Sequence, residues 1–186
     1  GLEFTAGVPA SIGGMVAMNF GCWGEEISNL ITHITIVDSS GTYKTVFNKD
    51  CKFEYRNSSI KSNNWAIVSV QLKLSKNSKE IIQDNIKNNI ALGLNKQPLR
   101  HATFGSIFKN PNNHYAAKLI ESTGLKGKCF DKIKLSSKHA NFLVNKGHAT
   151  YKEAINTIKY IQHKVIETHG IHLDPEVEIM NNHDDN

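Results

Sequence analysis

The sequence predicts an α+β fold, with strands in the first half and a mixture of strands and helices in the second. Alternating apolar residues before residue 75 are typical of strands. Two later segments repeat apolar residues every three to four positions, which is typical of helices. At 186 residues, the chain has room for one large domain or two small ones.

The first half is predicted to contain a glycine-rich loop followed by an antiparallel sheet. Glycine is frequent before residue 25, although neither the GxGxxG nor the P-loop pattern is present. Residues 30–37 alternate as a strand, residues 42–47 form its hairpin partner, and Ser-Ser-Gly at 39–41 is the turn. A third strand covers 65–74, and its alternation places five apolar residues on one face: Ala66, Val68, Val70, Leu72 and Leu74.

A long helix is predicted after this sheet. Asn77 can cap it, because Glu80 lies three positions later in capping-box spacing. Apolar residues then recur every four positions at Ile82, Ile86, Ile90 and Leu94. Gln97-Pro98 ends the helix, since proline disfavours helical conformation in the residue before it. We place a domain boundary there.

The second half is predicted to alternate short strands with two helices. A helix covers about 114–123 and stops at Gly124, and strands follow near 131–135 and 141–145. A long helix begins after Thr150, with Glu153 in capping-box position and Gly170 as its stop. It turns four apolar residues inward: Ala154, Ile158, Ile161 and Val165. A last strand covers 171–180, and the polar tail 181–186 is predicted to be disordered.

Composition narrows the possible functions. The formal charge of +5 suits a phosphate-rich ligand, although a lysine- and asparagine-rich bias without functional meaning explains it equally well. Nucleic-acid binding is disfavoured because the lysines are scattered and no helix or zinc motif is present. No run of eighteen apolar residues and no secretory signal is found. Cys22, Cys51 and Cys129 are odd in number and are interpreted as reduced thiols rather than a disulfide or metal site.

Ser106 is the first candidate for chemistry, between Gly105 and Ile107. No GxSxG elbow surrounds it, and no motif places any of the nine histidines as its base, so a hydrolase is disfavoured. The structural alternative is a turn serine that hydrogen-bonds its own backbone.

Arg56 and Glu176 are further candidates, each with a structural alternative. Arg56 follows two aromatic residues, so it is either a stacked or salt-bridged surface residue or available to grip a carboxylate. Glu176 shares its strand parity with Asp174 and Glu178, which also describes a solvated acidic edge. The sequence pattern alone does not select Glu176 from its neighbours.

Five motifs taken together are more specific than any one of them. GLEFTAGVPASIGG (1–14), FEYRNSS (53–59), GSIFKNP (105–111), SSKHANFLVN (136–145) and HLDPEVEI (172–179) follow one another over about 180 residues. In this order they resemble the UDP-N-acetylenolpyruvoylglucosamine reductase family, FAD enzymes that make UDP-N-acetylmuramate for the bacterial cell wall.

The resemblance implies a domain organisation. Residues 1–97 would be one half of a two-subdomain FAD-binding fold, and 98–173 a smaller α+β substrate-binding domain. Residues 174–186 would be a returning strand and a disordered tail. The family has another FAD-binding subdomain before the point that matches residue 1, so these 186 residues are expected to hold FAD weakly and to be inactive by themselves. The short interval between Arg56 and Ser106 indicates the subtype without the tyrosine-bearing insertion loop.

The resemblance also assigns three catalytic roles. In the family, hydride passes from NADPH to FAD and then to C3 of the enolpyruvyl group, and C2 is protonated. Arg56 matches the arginine of the family's YR-x-S motif and Glu176 the glutamate of its PE motif, and both would act at the substrate carboxylate. Ser106 matches the serine of GS-x-F and would be the C2 proton donor.

Binding residues follow from the same resemblance. Asn110 matches an asparagine that contacts the substrate, and Lys109 is a candidate phosphate partner. The HANF run at 139–142 is interpreted as mostly structural. The family usually has glycine where Ala10 stands and a small residue where Met15 stands, and both departures bear on how tightly FAD is held. The cofactor-binding residues are expected to be Gly7, Val8, Pro9, Ala10, Ser11, Gly13, Gly14 and Asn19.

The implied partners are FAD, NADPH and UDP-N-acetylglucosamine enolpyruvate, with no metal, nucleic acid or membrane. The resemblance implies a cytoplasmic monomer that serves peptidoglycan synthesis, cell shape and cell division. The alternative is a non-catalytic remnant of the same fold that acts as a binding module. Sequence drift after a loss of function would not be expected to leave Arg56, Ser106 and Glu176 all unchanged.

Overall fold

A computed structural model describes residues 1–180 of the chain. It forms two compact units, the first covering Gly1–Leu92 and the second beginning at Gly93. The division falls within a long helix. The domain boundaries after residues 97 and 173 stay predictions.

The first unit is built on short antiparallel sheets. A two-stranded hairpin pairs β1 with β2, and a three-stranded sheet has the order β4-β3-β5. Its strands and first two helices are α1 (Ile12–Ala17), β1 (Gly21–Cys22), β2 (Glu25–Glu26), β3 (Ile31–Val37), β4 (Tyr43–Phe47), α2 (Ser59–Ser62) and β5 (Ala66–Leu72).

The β3-β4 hairpin confirms the prediction and owes its turn to Asp38. The Asp38 carboxylate accepts hydrogen bonds from the backbone N–H groups of Ser40 at 2.9 Å and Thr42 at 3.1 Å. Lys44 forms an ion pair with the same carboxylate. An aspartate that bonds the backbone two residues ahead is a local device, so sequence can reveal it.

The prediction of which face of β5 points inward is wrong at the start of the strand. Ala66 and Val68 are exposed, whereas Ile67 and Leu72 pack against the core of the first unit. The pairing with β3 shifts register between Thr35 and Ile36, which leaves an additional residue in β5. A bulge of one residue reverses the parity of a strand, so the alternation of the sequence changes face there.

The core of the first unit lies between α1, α2 and the larger sheet. Its fully buried side chains include Val16, Ile27, Ile34, Ile36 and Ile60.

Helix α3 (Lys79–Lys96) confirms the predicted helix but begins one residue later than expected. Ser78 rather than Asn77 caps it, because the Ser78 Oγ accepts from the Ile81 N–H at 3.3 Å. The helix ends before Gln97-Pro98 as predicted. Of the apolar row, Ile90 is exposed and the other members are partly buried.

The second unit packs two helices against an antiparallel sheet of order β6-β7-β8. Its core includes Ile107, Phe108, Leu135 and Ile161. The elements are α4 (Ala116–Ser122), β6 (Cys129–Phe130), β7 (Ile133–Leu135), β8 (Leu143–Asn145) and α5 (Tyr151–His169).

Helix α5 has both predicted ends. The Thr150 Oγ1 accepts from the Glu153 N–H, and the Glu153 carboxylate accepts from the Thr150 N–H, which completes a capping box. Gly170 closes the helix with φ of 67°, a conformation that glycine adopts without steric cost. Ile158, Ile161 and Val165 are buried, and Ala154 is partly buried.

The predicted last strand over 171–180 is not a strand. The segment makes one isolated antiparallel bridge, between Phe108 and Pro175. Proline has no N–H to donate, which shortens any ladder that passes through it. The predicted disorder of the tail concerns residues outside those described. The fold is α+β, as predicted.

Within residues 1–180, neither long helix is apolar enough to cross a membrane. The same residues contain no cluster of histidine, cysteine and acidic side chains able to hold a metal ion. All three cysteines in this range are free thiols.

Candidate functional site

The predicted cofactor segment, residues 7–14, is a mostly exposed loop that runs into α1. Ser11 is the N-cap of α1, and its Oγ accepts from the Gly14 N–H at 3.1 Å. Within the described chain, the Ile12 and Gly13 N–H groups donate no hydrogen bond. Exposed backbone donors among small residues suit the diphosphate of FAD, so these residues fit the cofactor that the resemblance implies.

Asn19 lies in a different environment from the other predicted cofactor-binding residues. It is 1% exposed, and its Nδ2 donates to Glu26 Oε2 and to the Glu54 carbonyl, each at 3.0 Å. Its Oδ1 accepts from the Ser28 N–H at 3.3 Å. The amide therefore joins three segments of the first unit, and its contact with FAD stays a prediction.

Arg56 lies in a tight turn of the first unit. Glu54 and Asn57 exchange two backbone hydrogen bonds, at 3.0 and 3.2 Å, with Tyr55 and Arg56 between them. Arg56 has φ of 55°, in the left-handed region where residues other than glycine are uncommon. Such a backbone persists only where neighbouring contacts hold it.

Contacts with Gly21 and Tyr55 help to hold the Arg56 guanidinium. Its Nη2 donates to the Gly21 carbonyl at 2.8 Å, and its Cζ lies 4.9 Å from the centroid of the Tyr55 ring. The stacked arrangement that the sequence allowed is therefore present. Arg56 as a whole is partly buried, so both contacts fix a side chain that retains some accessible surface.

Ser106 lies in the second unit in an extended segment opposite Phe142. In the described residues its hydroxyl makes no hydrogen bond, so the turn-serine alternative is not what the structure shows. Gly105 before it has φ of 89°, and a Cβ added there would meet nothing within 4 Å. The serine is partly buried in a segment whose next two residues are core.

The segment carrying Glu176 pairs with the segment carrying Ser106. The Glu176 N–H donates to the Ile107 carbonyl at 2.8 Å, and the Lys109 N–H donates to the Asp174 carbonyl at 2.9 Å. Of the three acidic residues at 174, 176 and 178, only Glu176 is partly buried. The second unit thus brings two of the predicted catalytic residues together, although they are far apart in sequence.

Lys109 and Asn110 continue from this paired segment. Lys109 is partly buried and is held through its backbone. The Asn110 Oδ1 accepts from the Ala116 N–H at 3.0 Å, which satisfies one of the free donors at the start of α4. Asn110 therefore fixes the loop into α4, and its contact with substrate stays a prediction.

Asn141 contacts the segment that carries Ser106, and sequence reasoning did not single it out. Its side chain makes two hydrogen bonds to the backbone of Phe108, and its own carbonyl accepts from the Ile107 N–H at 2.9 Å. It belongs to the HANF run, whose structural interpretation fits these contacts. The family motif was the available signal, but it does not indicate which residue Asn141 would bind.

Two titratable side chains near these segments have shifted pKa values. Burial lowers the pKa of His139, and its Nδ1 accepts from the Asn141 N–H at 3.3 Å, so the ring is neutral near pH 7. Burial raises the pKa of the Cys22 thiol, and the nearby Arg56 charge opposes that shift in part. Neither group is therefore set up as a charged catalyst at neutral pH.

A known domain type matches the second unit. The family model described as UDP-N-acetylenolpyruvoylglucosamine reductase, C-terminal domain, matches residues 97–180. This part of the chain is therefore a domain of that type.

Relatives cover nearly the whole chain. UDP-N-acetylenolpyruvoylglucosamine reductases of Clostridium kluyveri and Caldanaerobacter subterraneus are 40% and 35% identical over 97% of it. The crystal structure of the reductase (MurB) from Thermus caldophilus superposes with a TM-score of 0.83 at 29% identity, over 96% of this chain and 63% of that one. Residues 97–180 therefore match the C-terminal domain of this family, and the chain is similar over nearly its whole length to the C-terminal part of these reductases (MurB). It spans 59% of the Clostridium kluyveri protein and 60% of the Caldanaerobacter subterraneus protein.

Proposed function

We propose that this chain carries the substrate-binding and catalytic part of an FAD-dependent reductase that uses NADPH. Its substrate would be UDP-N-acetylglucosamine enolpyruvate and its product UDP-N-acetylmuramate, for peptidoglycan synthesis. The single observation that carries the proposal is the backbone pairing of the Ser106 and Glu176 segments in a unit that matches the C-terminal domain of this family.

FAD, when bound, would supply to C3 of the enolpyruvyl group the hydride that comes from NADPH. Residues 7–14 would hold its diphosphate through the free backbone N–H groups at the start of α1. The protein's own task is then to bind the substrate carboxylate, to stabilise the negative charge that develops on it, and to protonate C2.

Arg56 is proposed to bind the substrate carboxylate. A guanidinium presents parallel N–H donors that match a carboxylate, and its charge does not depend on pH. The hydrogen bond to the Gly21 carbonyl and the stack on Tyr55 orient it before substrate arrives. Charge stabilisation of this kind is most effective when the donor needs no reorganisation.

Ser106 is proposed to donate the proton to C2. A serine hydroxyl is a weak acid, but a carbanion-like carbon held in place is a strong base, so the transfer is feasible. The Ser106 hydroxyl is not engaged with the described protein, which leaves its proton available.

Glu176 is proposed to act at the same carboxylate as Arg56, by hydrogen bonding in its protonated form. This requires the carboxyl pKa to rise once substrate excludes water. Lys109 would contact a phosphate of the UDP group, and Asn110 would contact the sugar portion of the substrate.

We further propose a cytoplasmic monomer. The three free cysteines support a reducing compartment.

The test is Ser106→Ala in a full-length protein that contains this chain. Flavin reduction by NADPH should keep its wild-type rate, because the serine acts only on the enolpyruvyl group. Flavin reoxidation by UDP-N-acetylglucosamine enolpyruvate should slow by about 10²–10⁴, as is typical when a positioned acid is lost. Stopped-flow absorbance at the flavin band measures the two half-reactions separately.

Ser137→Ala is the matched control, since Ser137 is an exposed serine of the same unit. It should leave both half-reactions unchanged. Equal slowing of both half-reactions by Ser106→Ala would indicate general damage to the site and would remove Ser106 as the proton donor. A wild-type protein without enolpyruvyl-dependent reoxidation would contradict the whole proposal and favour the binding-module alternative.

A further inference from the structure

Residues 106–109 form a short extended segment that is held from both sides within the second unit. On one side, the Ile107 carbonyl and the Lys109 N–H bond to the chain at Glu176 and Asp174. On the other side, the backbone of Phe108 faces Asn141. The position of Ser106 and that of Glu176 therefore depend on the same few hydrogen bonds.

Asn141 satisfies both backbone polar groups of Phe108. Its Oδ1 accepts from the Phe108 N–H at 3.0 Å, and its Nδ2 donates to the Phe108 carbonyl at 2.8 Å. Phe108 is 1% exposed, so water cannot replace these bonds. The segment opposite, at 174–176, bonds Ile107 and Lys109 instead, so the Phe108 N–H and carbonyl point away from it and it cannot serve them either. The amide of Asn141 takes the place of a neighbouring strand.

Asn141 is itself held in one orientation. It is 4% exposed, its carbonyl accepts from the Ile107 N–H at 2.9 Å, and its N–H donates to His139 Nδ1 at 3.3 Å. Its backbone and its side chain are thus both engaged in hydrogen bonds. We call the two side-chain bonds from Asn141 to Phe108 the Asn141 clamp.

We infer that Asn141 is a positioning residue, whose clamp on Phe108 sets the Ser106 hydroxyl and the paired Glu176 segment in register for proton transfer. The inference rests on the proposed function. Asn141 touches neither substrate nor cofactor in this scheme and acts through the segment it holds. A misplacement of about 1 Å at a reacting group can slow a reaction about 100-fold, so the loss of register would be measurable.

The test is Asn141→Asp in the full-length protein, because its effect depends on pH. The protonated carboxyl group has one donor and one acceptor, so it can remake both bonds of the clamp. The ionised group has no donor and places negative charge against the Phe108 carbonyl. Burial raises the pKa of such a group above the usual value for aspartate, which brings its titration into a range where activity can be measured.

At each pH, the rate of each half-reaction in the variant is divided by the wild-type rate. Enolpyruvyl-dependent flavin reoxidation by the variant should equal that of wild type at low pH and fall about 100-fold with a single ionisation as pH rises. The NADPH half-reaction should keep a constant ratio. A merely structural role predicts that both half-reactions fall together, and either that outcome or two constant ratios would overturn the inference.

Asn145→Asp is the matched control for introducing a carboxyl group. The Asn145 Oδ1 only accepts hydrogen bonds, from the Gly147 and Ala149 N–H groups, and ionisation preserves an acceptor. Its rate ratios should not change with pH. Circular dichroism at each pH defines the range in which the variants are folded, and rates are compared within that range.

Amide hydrogen exchange gives a readout that does not require activity. In Asn141→Asp, protection of the Phe108 N–H should fall as pH rises, relative to wild type at the same pH, after correction for intrinsic exchange. Unchanged protection would overturn the inference even if rates changed. If wild type shows no enolpyruvyl-dependent reoxidation, the proposed function fails and the positioning role with it, while the exchange result still decides whether the clamp exists.

Discussion

Arg56 depends on the absence of a side chain at Gly21. A Cβ added at Gly21 would lie 2.9 Å from the Glu25 carbonyl oxygen and from Glu26 Cγ, and 3.2 Å from Arg56 Nη1. The same glycine accepts the hydrogen bond from Arg56 Nη2. The glycine therefore allows the hairpin and the guanidinium to approach each other.

Gly21→Ala is expected to lower the free energy of unfolding by about 1–3 kcal/mol, the usual cost of forcing a methyl group into a packed position. A backbone oxygen is among the atoms that must move, so the strain cannot be relieved by a side-chain rotation alone. Urea unfolding followed by tryptophan fluorescence measures the change.

Gly13→Ala is the comparison for that measurement. A Cβ at Gly13 meets Ile67 at 3.8 Å, an ordinary contact, and Gly13 lies within helix α1. Alanine is a better helix former than glycine, so this variant should be neutral or more stable by up to about 1 kcal/mol. Equal destabilisation by both substitutions would contradict the role assigned to Gly21.

At the scale of elements, local side-chain chemistry sets the beginning of α5. The Glu153 carboxylate accepts hydrogen bonds from the Thr150 N–H at 2.6 Å and the Thr150 hydroxyl at 2.7 Å. These bonds, the backbone one first, lower the pKa of Glu153, and Lys132 adds a smaller effect. A lowered pKa in the folded state means that the carboxylate stabilises the protein above its unfolded pKa. This contribution is lost as pH falls through the folded pKa.

Thr150→Ala is expected to lower the free energy of unfolding by about 1 kcal/mol at pH 7, as is typical for loss of an N-cap. Part of this difference from wild type should disappear at acidic pH, where Glu153 is protonated and no longer a charged acceptor. Chemical denaturation at both pH values measures it.

Thr168→Ala is the control on the same helix. The Thr168 hydroxyl bonds the Lys164 carbonyl one turn earlier, so it caps nothing. Alanine there should be neutral or slightly stabilising at both pH values. A loss at Thr168 as large as that at Thr150 would mean that the capping box contributes nothing specific.

Local and non-local elements were predicted with different success. The α5 capping box, the Gly170 stop and the hairpin turn at 39–41 depend on residues within a few positions, so the sequence reveals them. The predicted inner face of β5 was wrong because a bulge arises where β5 pairs with β3. The alternation of residues within β5 does not indicate this bulge. The strand expected over 171–180 was wrong because, within residues 1–180, this segment pairs with no more than the short segment at Phe108.

At the scale of the whole molecule, the prediction concerns how tightly the chain holds FAD. The resemblance places FAD between two subdomains, and this chain spans 59% of the Clostridium kluyveri relative. We therefore predict that the 186 residues by themselves hold FAD weakly, because fewer groups enclose the cofactor. Equilibrium dialysis of the purified chain against FAD measures this.

The full-length Clostridium kluyveri reductase, 40% identical over the shared region, serves as the positive control. It should retain FAD under conditions in which this chain releases it. Tight stoichiometric retention by the 186 residues would contradict the prediction and would mean that residues 7–14 and their surroundings suffice.

The sequence by itself determined the α+β class, the two capped ends of α5, the β3-β4 hairpin and, through its motifs, the resemblance to the reductase family. These follow from short-range chemistry and from patterns that can be read along the chain. The tertiary structure alone decided that Glu176 pairs beside Ser106, that Asn141 holds Phe108, and that Gly21 must lack a side chain next to Arg56. Each of these depends on residues distant in sequence that meet only when buried backbone groups find their hydrogen-bond partners.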